Sequence, residues 1–446
     1  MVRITQALAN VKDGLSRWIS PKLIVELCQA IGYTWRNGPL NPVVTVQLFI
    51  MQVLHGNTAI NHLRQLANMR VTASAFCQAR KRLPLELFER LTAALTRALI
   101  GGGAEVGRWR GHRVWHLDAT GFSMPDEPAL QARFGQPGGQ ARGCGFPVAK
   151  LLVLCDAATG LIARTLALPL RTHEMAHAAA MHDALRAGDL LVGDRALCSF
   201  AHFALVLMRD LQAVFRVHQR VIVSFRRGRK HARQSGKGQR AGQPTSQWLR
   251  WLGPGDQLVR YFKPQQCPRW CEAQQFAAMP ASIVLRELRY RVSQPGFRTR
   301  SVTLVTTLVD AQKYPREEVA RQYGQRWEIE THLRELKITM GMDVLHCKSV
   351  DGVLKELAVF ILVYNLVRWH CLQAAHQQGV AADRISFIDA LRWLRQGVAS
   401  QPLIVNPPRP GRFEPRVIKR RMKEYRLMQK PRAVLREELM KQSLAA

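Results

Sequence analysis

Acidic residues are scarce in this chain of 446 residues. It contains 32 Asp and Glu against 65 Lys and Arg, which gives a formal net charge of +33 at pH 7. Such a positive field attracts polyanions, and nucleic acid is the first candidate for a partner. An acidic side chain that stands among apolar residues is therefore unusual in this sequence, and it becomes a candidate for a functional role.

Long apolar runs and paired cysteines are also missing. The longest apolar run, residues 357–367, is shorter than the roughly 20 residues that a membrane-spanning helix needs. The N-terminus has no apolar core of the kind found in secretory signal peptides. The nine cysteines are an odd number, and only Cys267 and Cys271 lie close together, so neither a disulfide framework nor a zinc cluster is expected. We expect a cytoplasmic, nucleoid-associated protein without a membrane partner.

The first part of the chain has helical periodicity. Three short helices are predicted, at residues 43–54, 58–68 and 74–83. The last of them carries Arg80, Lys81 and Arg82, as in a helix-turn-helix whose final helix enters the major groove of DNA. A helical bundle with a solvated, charged face is the alternative. We assign residues 1–103 to an all-α N-terminal DNA-binding domain, which ends at the glycines at positions 101–103.

After these glycines, short apolar runs rich in branched residues alternate with helical stretches, a pattern typical of an α/β domain. A mainly β insertion with a basic, disordered loop near residues 230–244 interrupts this domain. The predicted boundaries are 104–220 for the first part of the α/β domain, 221–300 for the insertion, 301–400 for the second part, and 401–446 for a basic tail. The tail either lies extended along DNA or is merely solvated.

Two aspartates follow apolar strand segments. Asp118 comes after residues 114–117, and Asp194 comes after residues 190–193, so each is expected where a strand ends. Carboxylates at the ends of neighbouring strands can converge at one edge of a sheet. Taken singly, each aspartate could equally be a turn or helix-cap residue.

A predicted long helix, residues 315–340, carries a third acid on a distinctive face. Tyr323, Arg326, Glu330 and Lys337 are spaced by three, four and seven residues, which places them along one stripe of a helix. Such a face offers a carboxylate beside donors that bind phosphate, and carboxylate oxygens are ligands that Mg²⁺ prefers. An ordinary ion pair between Arg326 and Glu330 on the helix surface is the alternative.

The segment 323–330, continued to Lys337 and residues 341–343, resembles the Tyr-Arg-Glu-Lys motif of the IS-four family of bacterial insertion-sequence transposases. Residues 116–120 resemble the first-aspartate segment of that family, and residues 193–195 resemble the second. Residues 76–80, followed by Leu83 and Pro84, are similar to its N-terminal DNA-binding stretch. The sequence departs from the family pattern at Ala119, Ala196 and Leu197, and none of these changes removes an acid.

This resemblance implies a DDE transposase with a ribonuclease H-like catalytic domain. It implies that Asp118, Asp194 and Glu330 bind two Mg²⁺ ions, which Mn²⁺ can replace, and that Tyr323, Arg326 and Lys337 hold DNA phosphates. The implied reaction is cut-and-paste transposition of double-stranded DNA. A strand is cut, a hairpin forms and reopens at each terminal inverted repeat, and the released end joins target DNA. A homodimer is expected because two ends must be joined together.

A DNA hairpin requires a sharply bent strand, and a base flipped onto an aromatic side chain would relieve the strain. Trp248, Trp251 and Trp270 in the insertion are candidates for this platform, with a place in the core as the alternative. Two other functions compete with transposition. A non-enzymatic DNA-binding regulator would leave the acids and the insertion unexplained, and a hydrolytic nuclease of the same fold differs in sequence only through the family motif.

Overall fold

A computed structural model describes most of the chain. The described residues are 19–68, 70–101, 107–138, 141, 144–218, 220–232, 243–292, 301–396, 402–407 and 430–444. The predicted linker glycines 102–103, most of the predicted disordered loop and most of the basic tail lie outside these residues. No helix among the described residues is both long and apolar enough to cross a lipid bilayer.

The α-helices are α1 (Pro21–Ala30), α2 (Pro42–Leu54), α3 (Ile60–Leu66), α4 (Ala73–Arg82), α5 (Leu85–Gly101), α6 (Pro128–Phe134), α7 (Met175–Met181), α8 (Phe200–Leu207), α9 (Ala273–Ala277), α10 (Arg316–Gln325), α11 (Glu328–Arg334), α12 (Val350–Gln378), α13 (Phe387–Gln396) and α14 (Arg432–Leu444). The strands are β1 (Val114–Ser123), β2 (Val148–Asp156), β3 (Ile162–Pro169), β4 (Leu190–Gly193), β5 (Gln212–Arg216), β6 (Gln247–Gly253), β7 (Asp256–Phe262), β8 (Ser282–Arg291) and β9 (Ser301–Thr306).

The N-terminal helices begin at residues suited to that place. The side chains of Ser20, Asn41 and Thr72 cap α1, α2 and α4 by accepting a hydrogen bond from a backbone N–H in the first turn. Proline opens α1 and α2, where its missing N–H costs nothing. The three helices predicted at residues 43–54, 58–68 and 74–83 are confirmed as α2, α3 and α4.

These helices do not have a core of their own within the described residues. Their buried side chains join one hydrophobic cluster with those of β2, α11, α12 and α13. Helix α12 lies at its centre and packs against both α2 and α5. The amide of Asn365 on α12 bonds the backbone of Ile162 and the hydroxyl of Thr96, so α12, β3 and α5 meet at one buried point. An independent N-terminal domain therefore stays a prediction.

One mixed sheet of nine strands organises the rest of the molecule, in the order β3-β2-β1-β4-β5-β9-β8-β7-β6. Strand β4 runs parallel to β1 and to β5, and the other neighbours are antiparallel. The strands of the predicted insertion extend this same sheet, because β9 pairs with β5. Helices α7 and α8 pack on one face of the sheet and form a second hydrophobic cluster with it. Helix α10 packs on the other face and forms a third hydrophobic cluster. The α/β prediction is confirmed.

The helix predicted over residues 315–340 is not a single regular helix. Helix α10 ends at Gln325, and the backbone then winds tightly, because the N–H groups of Arg326 and Glu330 bond the carbonyls three residues before them. After α11 the helix widens into a π-helical segment, Glu335–Thr339. Periodicity in sequence assumes even winding and therefore missed both changes. The tight and the wide segments lie on either side of α11.

Candidate active site

The register of the parallel strands sets Asp118 beside Asp194. Strands β1 and β4 pair from their first residues up to Leu117 and Gly193, and the next residue along the chain after each of these two is the aspartate. The prediction that each aspartate follows the end of a strand is wrong for Asp118. Strand β1 continues to Ser123, because its other edge pairs with β2 along nearly its whole length. The parallel ladder nevertheless ends directly before both acids.

The turn after β4 holds the second aspartate. The Asp194 carboxylate accepts a hydrogen bond from the backbone N–H of Ala196 at 2.8 Å and so caps a short 3₁₀ helix, Arg195–Leu197. A β-carbon at Gly193 would lie 2.4 Å from Cδ1 of Leu197 and 3.3 Å from the ring of Phe215. The turn therefore packs closely over Gly193. Leu197, one of the departures from the family pattern, takes part in this packing.

Arg326 joins the first and third acids. Its guanidinium donates to Oδ2 of Asp118 at 2.9 Å and to Oε1 of Glu330 at 3.3 Å. The side chains of Arg326 and Asp118 are largely buried, whereas that of Glu330 keeps 35% of its surface exposed. The Arg326–Glu330 contact matches the ordinary helical ion pair considered above, but the bond to Asp118, 208 residues away, does not. This bond brings the motif helix to the carboxyl edge of the parallel strands.

Burial and the neighbouring charges shift the pKa values of the site residues. Burial raises the pKa of Asp118, Arg326 lowers it, and the negative charge of Asp194 raises it further. Burial also raises the pKa of Glu330, to about 6, with Asp118 and Asp194 both adding to the rise against Arg326. Burial lowers the pKa of Arg326, but Tyr323, Asp118 and Glu330 outweigh that effect and the pKa rises. The three carboxylates therefore share one electrostatic environment, in which Arg326 is the neighbouring cation.

The remaining motif residues differ in their surroundings. Tyr323 is buried, and burial raises its pKa, so that its hydroxyl keeps the proton at neutral pH. The guanidinium of Arg326 lies over the Tyr323 ring, 5.8 Å from its centre. Lys337 lies in the π-helical segment and is half-buried.

Two further residues at this edge were missed from the sequence. Arg216 ends β5, next to the strand that leads to Asp194, and Tyr290 lies on β8. Burial raises the pKa of Tyr290 to about 12 and that of Tyr323 as well, and Arg216 opposes both rises, so the three side chains are neighbours. A charged residue closing a short apolar run is the pattern that identified the two aspartates, and it would have found Arg216.

Carboxylate oxygens suit a hard divalent cation, and this site has several that are lightly used. The described contacts give Asp194 one hydrogen bond, to its own turn, and Glu330 one, to Arg326. In the described part of the chain, no three Asp, Glu, His or Cys side chains are already close enough together to hold one ion. The donor set fits Mg²⁺ or Mn²⁺ in chemistry, and binding would require the side chains around Arg326 to rearrange.

The predicted DNA-contacting residues of α4 fall into two kinds. Arg80 is half-buried, lies over the Phe49 ring at 4.4 Å, and donates to Oε1 of Gln52 at 2.7 Å and to Sγ of Cys347. Lys81 and Arg82 are exposed. The structure thus places Arg80 inside the contact with the C-terminal half of the chain and leaves its two neighbours facing solvent.

Two of the three candidate tryptophans lie away from the acids. Trp248 and Trp251 belong to β6, the edge strand, four strands beyond β5 and hence about 19 Å from it at the usual strand spacing. Trp251 is 40% exposed, and the guanidinium of Arg227 covers its ring at 3.9 Å. Trp270 packs against the second hydrophobic cluster. This placement weighs against Trp248 and Trp251 as a platform for a base held at the acids.

Comparisons with known proteins match this chain to transposases. The transposase DDE domain family matches residues 109–366. Transposase InsG for insertion sequence element IS4 of Escherichia coli (strain K12) is 24% identical over 378 residues, which cover 80% of this chain and 78% of that protein. The piggyBac transposase, in a cryo-EM synaptic complex with hairpin DNA, is similar with a TM-score of 0.45 and 12% identity over 87% of this chain and 79% of that one. Since the family match covers more than half of the chain and includes all three acids, the chain belongs to the transposase DDE domain family, which confirms the resemblance to the IS-four transposases and identifies a DNA transposition enzyme.

Proposed function

We propose that this transposase excises its element by cut-and-paste, through hairpin ends, with Asp118, Asp194 and Glu330 as its catalytic acids. One observation carries the assignment. The parallel ladder ends directly before the two aspartates, and Arg326 connects the first of them to the glutamate. Three acids far apart in a basic chain thus share one charged environment.

The division of labour follows from the chemistry of each side chain. The three carboxylates would hold two Mg²⁺ or Mn²⁺ ions, and bound ions would activate a water nucleophile and stabilise the leaving oxygen. Arg326 has the planar guanidinium that pairs with two phosphate oxygens, and Lys337 supplies a point charge. The protonated hydroxyl of Tyr323 would donate to a phosphate oxygen. Arg216 is added to this phosphate-binding group because it ends the strand next to that of Asp194.

In the proposed sequence, a water attacks the phosphodiester at the transposon end and frees a 3′-hydroxyl. That hydroxyl attacks the opposite strand and forms a hairpin. A second water opens the hairpin, and the released 3′-hydroxyl joins target DNA. Arg326 would exchange its bond to Glu330 for a phosphate as the DNA enters, which frees carboxylate oxygens for the ions.

The remaining assignments belong to the same proposal. Strands β1 to β5 with their helices, together with residues 301–400, would form the ribonuclease H-like domain, and β6 to β8 the insertion. Residues 1–103 would bind the terminal inverted repeats, with Lys81 and Arg82 rather than Arg80 exposed to DNA. A homodimer would hold the two ends together. Trp270 remains a candidate for stacking on a flipped base, ahead of Trp248 and Trp251.

The test is incubation of the purified protein with linear DNA that bears a transposon end, in Mg²⁺, followed by a denaturing gel. The wild type should give hairpin products, and Glu330→Gln should give none while binding DNA as well as the wild type. Glu328→Gln makes the same chemical change two residues away and should still cut. Cleavage by Glu330→Gln would refute the assignment, and nicked products without a hairpin would indicate a nuclease instead.

A further inference from the structure

Two buried histidines lie beneath the turn that carries Asp194. His202, on α8, is fully buried, and its Nδ1 lies 2.9 Å from the carbonyl oxygen of Leu197, the last residue of the 3₁₀ helix capped by Asp194. Its Nε2 lies 3.0 Å from Nε2 of His182, which is also buried. The proposed mechanism uses neither histidine, and their contacts lead through the backbone to the second acid.

The protons of this pair can be assigned. Burial lowers the pKa of His202 to about 4 and that of His182 to about 2, so both rings are neutral at physiological pH. Only an N–H can face the Leu197 carbonyl, so the proton of His202 is on Nδ1 and its Nε2 is an acceptor. His182 must therefore donate from Nε2, which leaves its Nδ1 without a proton. That nitrogen is indeed buried without a partner among the described residues.

The rings also support the turn by stacking. His202 stacks on Phe215 of β5 with ring centres 5.0 Å apart, and His182 stacks on His202 at 5.1 Å. Phe215 in turn faces Gly193, the residue directly before Asp194. The turn is thus held from below by one directed hydrogen bond and a column of three rings.

We propose that His202, with its proton placement fixed by His182, is a positioning residue for Asp194. The bond from Nδ1 fixes the carbonyl of Leu197 and with it the 3₁₀ helix. The helix aims the N–H of Ala196 at Oδ1 of Asp194, and this contact sets the direction of the other carboxylate oxygen. The inference rests on the proposed role of Asp194 as a metal ligand.

A histidine here has a chemical reason beyond filling space. Leucine at position 202 would fill much of the same volume but would leave the Leu197 carbonyl buried without a donor. Residues that orient the ligands of a metal without binding the metal themselves typically change its affinity by 10–100-fold when they are mutated. We expect the lower end, about tenfold, because His202 acts through the backbone and not on the carboxylate itself.

The experiment compares matched variants of the full-length chain. The amide of asparagine can replace Nδ1 of histidine, and that of glutamine can replace Nε2. His202→Asn should therefore keep the bond to Leu197, and His202→Gln should lose it. His182→Gln should keep the donor to His202, and His182→Leu should remove it. His202→Leu removes both contacts of His202.

Mn²⁺ serves as the probe in two measurements. Electron paramagnetic resonance of free Mn²⁺ gives the binding affinity, and cleavage of end-bearing DNA gives the Mn²⁺ concentration at half-maximal rate. His202→Leu and His202→Gln should need about tenfold more Mn²⁺, His182→Leu should show a smaller shift, and His202→Asn and His182→Gln should resemble the wild type. DNA affinity should not change in any of them. A purely structural role would lower the melting temperature of His202→Gln without changing its Mn²⁺ dependence, and that result would overturn the proposal.

The Asp194→Asn variant separates the two proposals. If Asp194→Asn binds Mn²⁺ and cuts like the wild type, the proposed role of Asp194 is wrong and the positioning role falls with it. If Asp194→Asn is defective but His202→Asn and His202→Gln have the same Mn²⁺ dependence, only the positioning role is wrong. If His202→Leu does not fold, the Asn and Gln variants still decide the question.

Discussion

The acids of the insertion and the acids at the edge of the parallel strands differ in how many hydrogen-bond donors surround them. In the insertion, Glu287 is fully buried and accepts hydrogen bonds from Gln257, Tyr261 and Ser246. Asp256 uses both carboxylate oxygens on the buried guanidinium of Arg286. Both acids therefore accept several hydrogen bonds, and the donors lie in or directly beside the same sheet.

At the carboxyl edge the acids are close to one another but have few donors. Asp118 and Glu330 share one guanidinium, Asp118 also accepts from the backbone N–H of Ala119, and Asp194 has a single bond to its own turn. Burial raises the pKa of Asp118 and of Glu330 against the effect of Arg326, and repulsion between the carboxylates adds to both rises. The structural acids are thus surrounded by donors, whereas Asp194 and Glu330 each keep one carboxylate oxygen without a donor among the described residues.

The same contrast appears among the cations of α4. Arg80 bonds Gln52 and Cys347 and lies over Phe49, which is a structural role. Lys81 and Arg82 are exposed and remain available to DNA phosphates. Three consecutive basic residues in the sequence therefore include one that holds the fold and two that face solvent.

The largest effect is expected when an aspartate is replaced by asparagine in each of the two groups of acids and the losses of stability are compared. Asp256→Asn should lower the free energy of unfolding by about 3–5 kcal/mol, because it leaves Arg286 buried without a counter-charge. Asp118→Asn leaves Arg326 with Glu330 as a counter-charge and relieves repulsion from Asp194, so it should lower the free energy of unfolding clearly less than Asp256→Asn does. Urea unfolding of both variants measures the difference. Equal losses would mean that the two groups of acids are not distinct.

A smaller effect is expected for DNA binding. Lys81→Ala and Arg82→Ala should each reduce the slope of log affinity against log salt concentration by about 1, because each removes one phosphate contact. Arg80→Ala should leave this slope unchanged and lower the melting temperature instead. Fluorescence anisotropy on duplex DNA at several salt concentrations gives the slopes. A slope for Arg80→Ala as low as that for Arg82→Ala would contradict the distinction between these residues.

Local patterns in the sequence indicated that Asp118 and Asp194 could meet at one edge of a sheet, although each aspartate taken singly could equally be a turn or cap residue. Each follows an apolar run, and parallel strands bring such positions together. The length of β1 could not be read in the same way, since β1 continues past Asp118 only because β2 pairs with it. The adjacency was therefore predictable and the end of the strand was not.

Positions that depend on distant parts of the chain were not predictable. The order of the strands decides how far β6 lies from the acids, and the apolar pattern of a strand does not encode its neighbour. Arg80 donates a hydrogen bond to Cys347, 267 residues away, and helical periodicity could not reveal this contact. Helix α11 packs on β1, and the π-helical segment after it packs on α12. The uneven winding there was not visible in the periodicity of the sequence, whereas the Tyr-Arg-Glu-Lys spacing was.

The smallest effect is expected in the pH dependence of stability, which tests the raised pKa of Glu330. The pKa of Glu330 is raised to about 6 in the folded protein, so between about pH 4.5 and 6 the folded state binds more protons than the unfolded state. The stability of the wild type should therefore fall as pH rises through this range, relative to Glu330→Gln, which does not titrate. Solvent reaches part of the Glu330 side chain, so the difference should be about 1 kcal/mol or less.

Glu318→Gln provides the control of opposite sign. The hydrogen bond from Arg110 lowers the pKa of Glu318, so its contribution to stability is present above its unfolded pKa and is lost as pH falls. Relative to Glu318→Gln, the wild type should therefore lose stability on acidification, whereas relative to Glu330→Gln it should gain. Thermal unfolding of the three proteins between pH 4 and 7 measures both slopes. Slopes of the same sign would mean that Glu330 is held as a satisfied surface acid, and the distinction between open and saturated carboxylates would no longer apply to it.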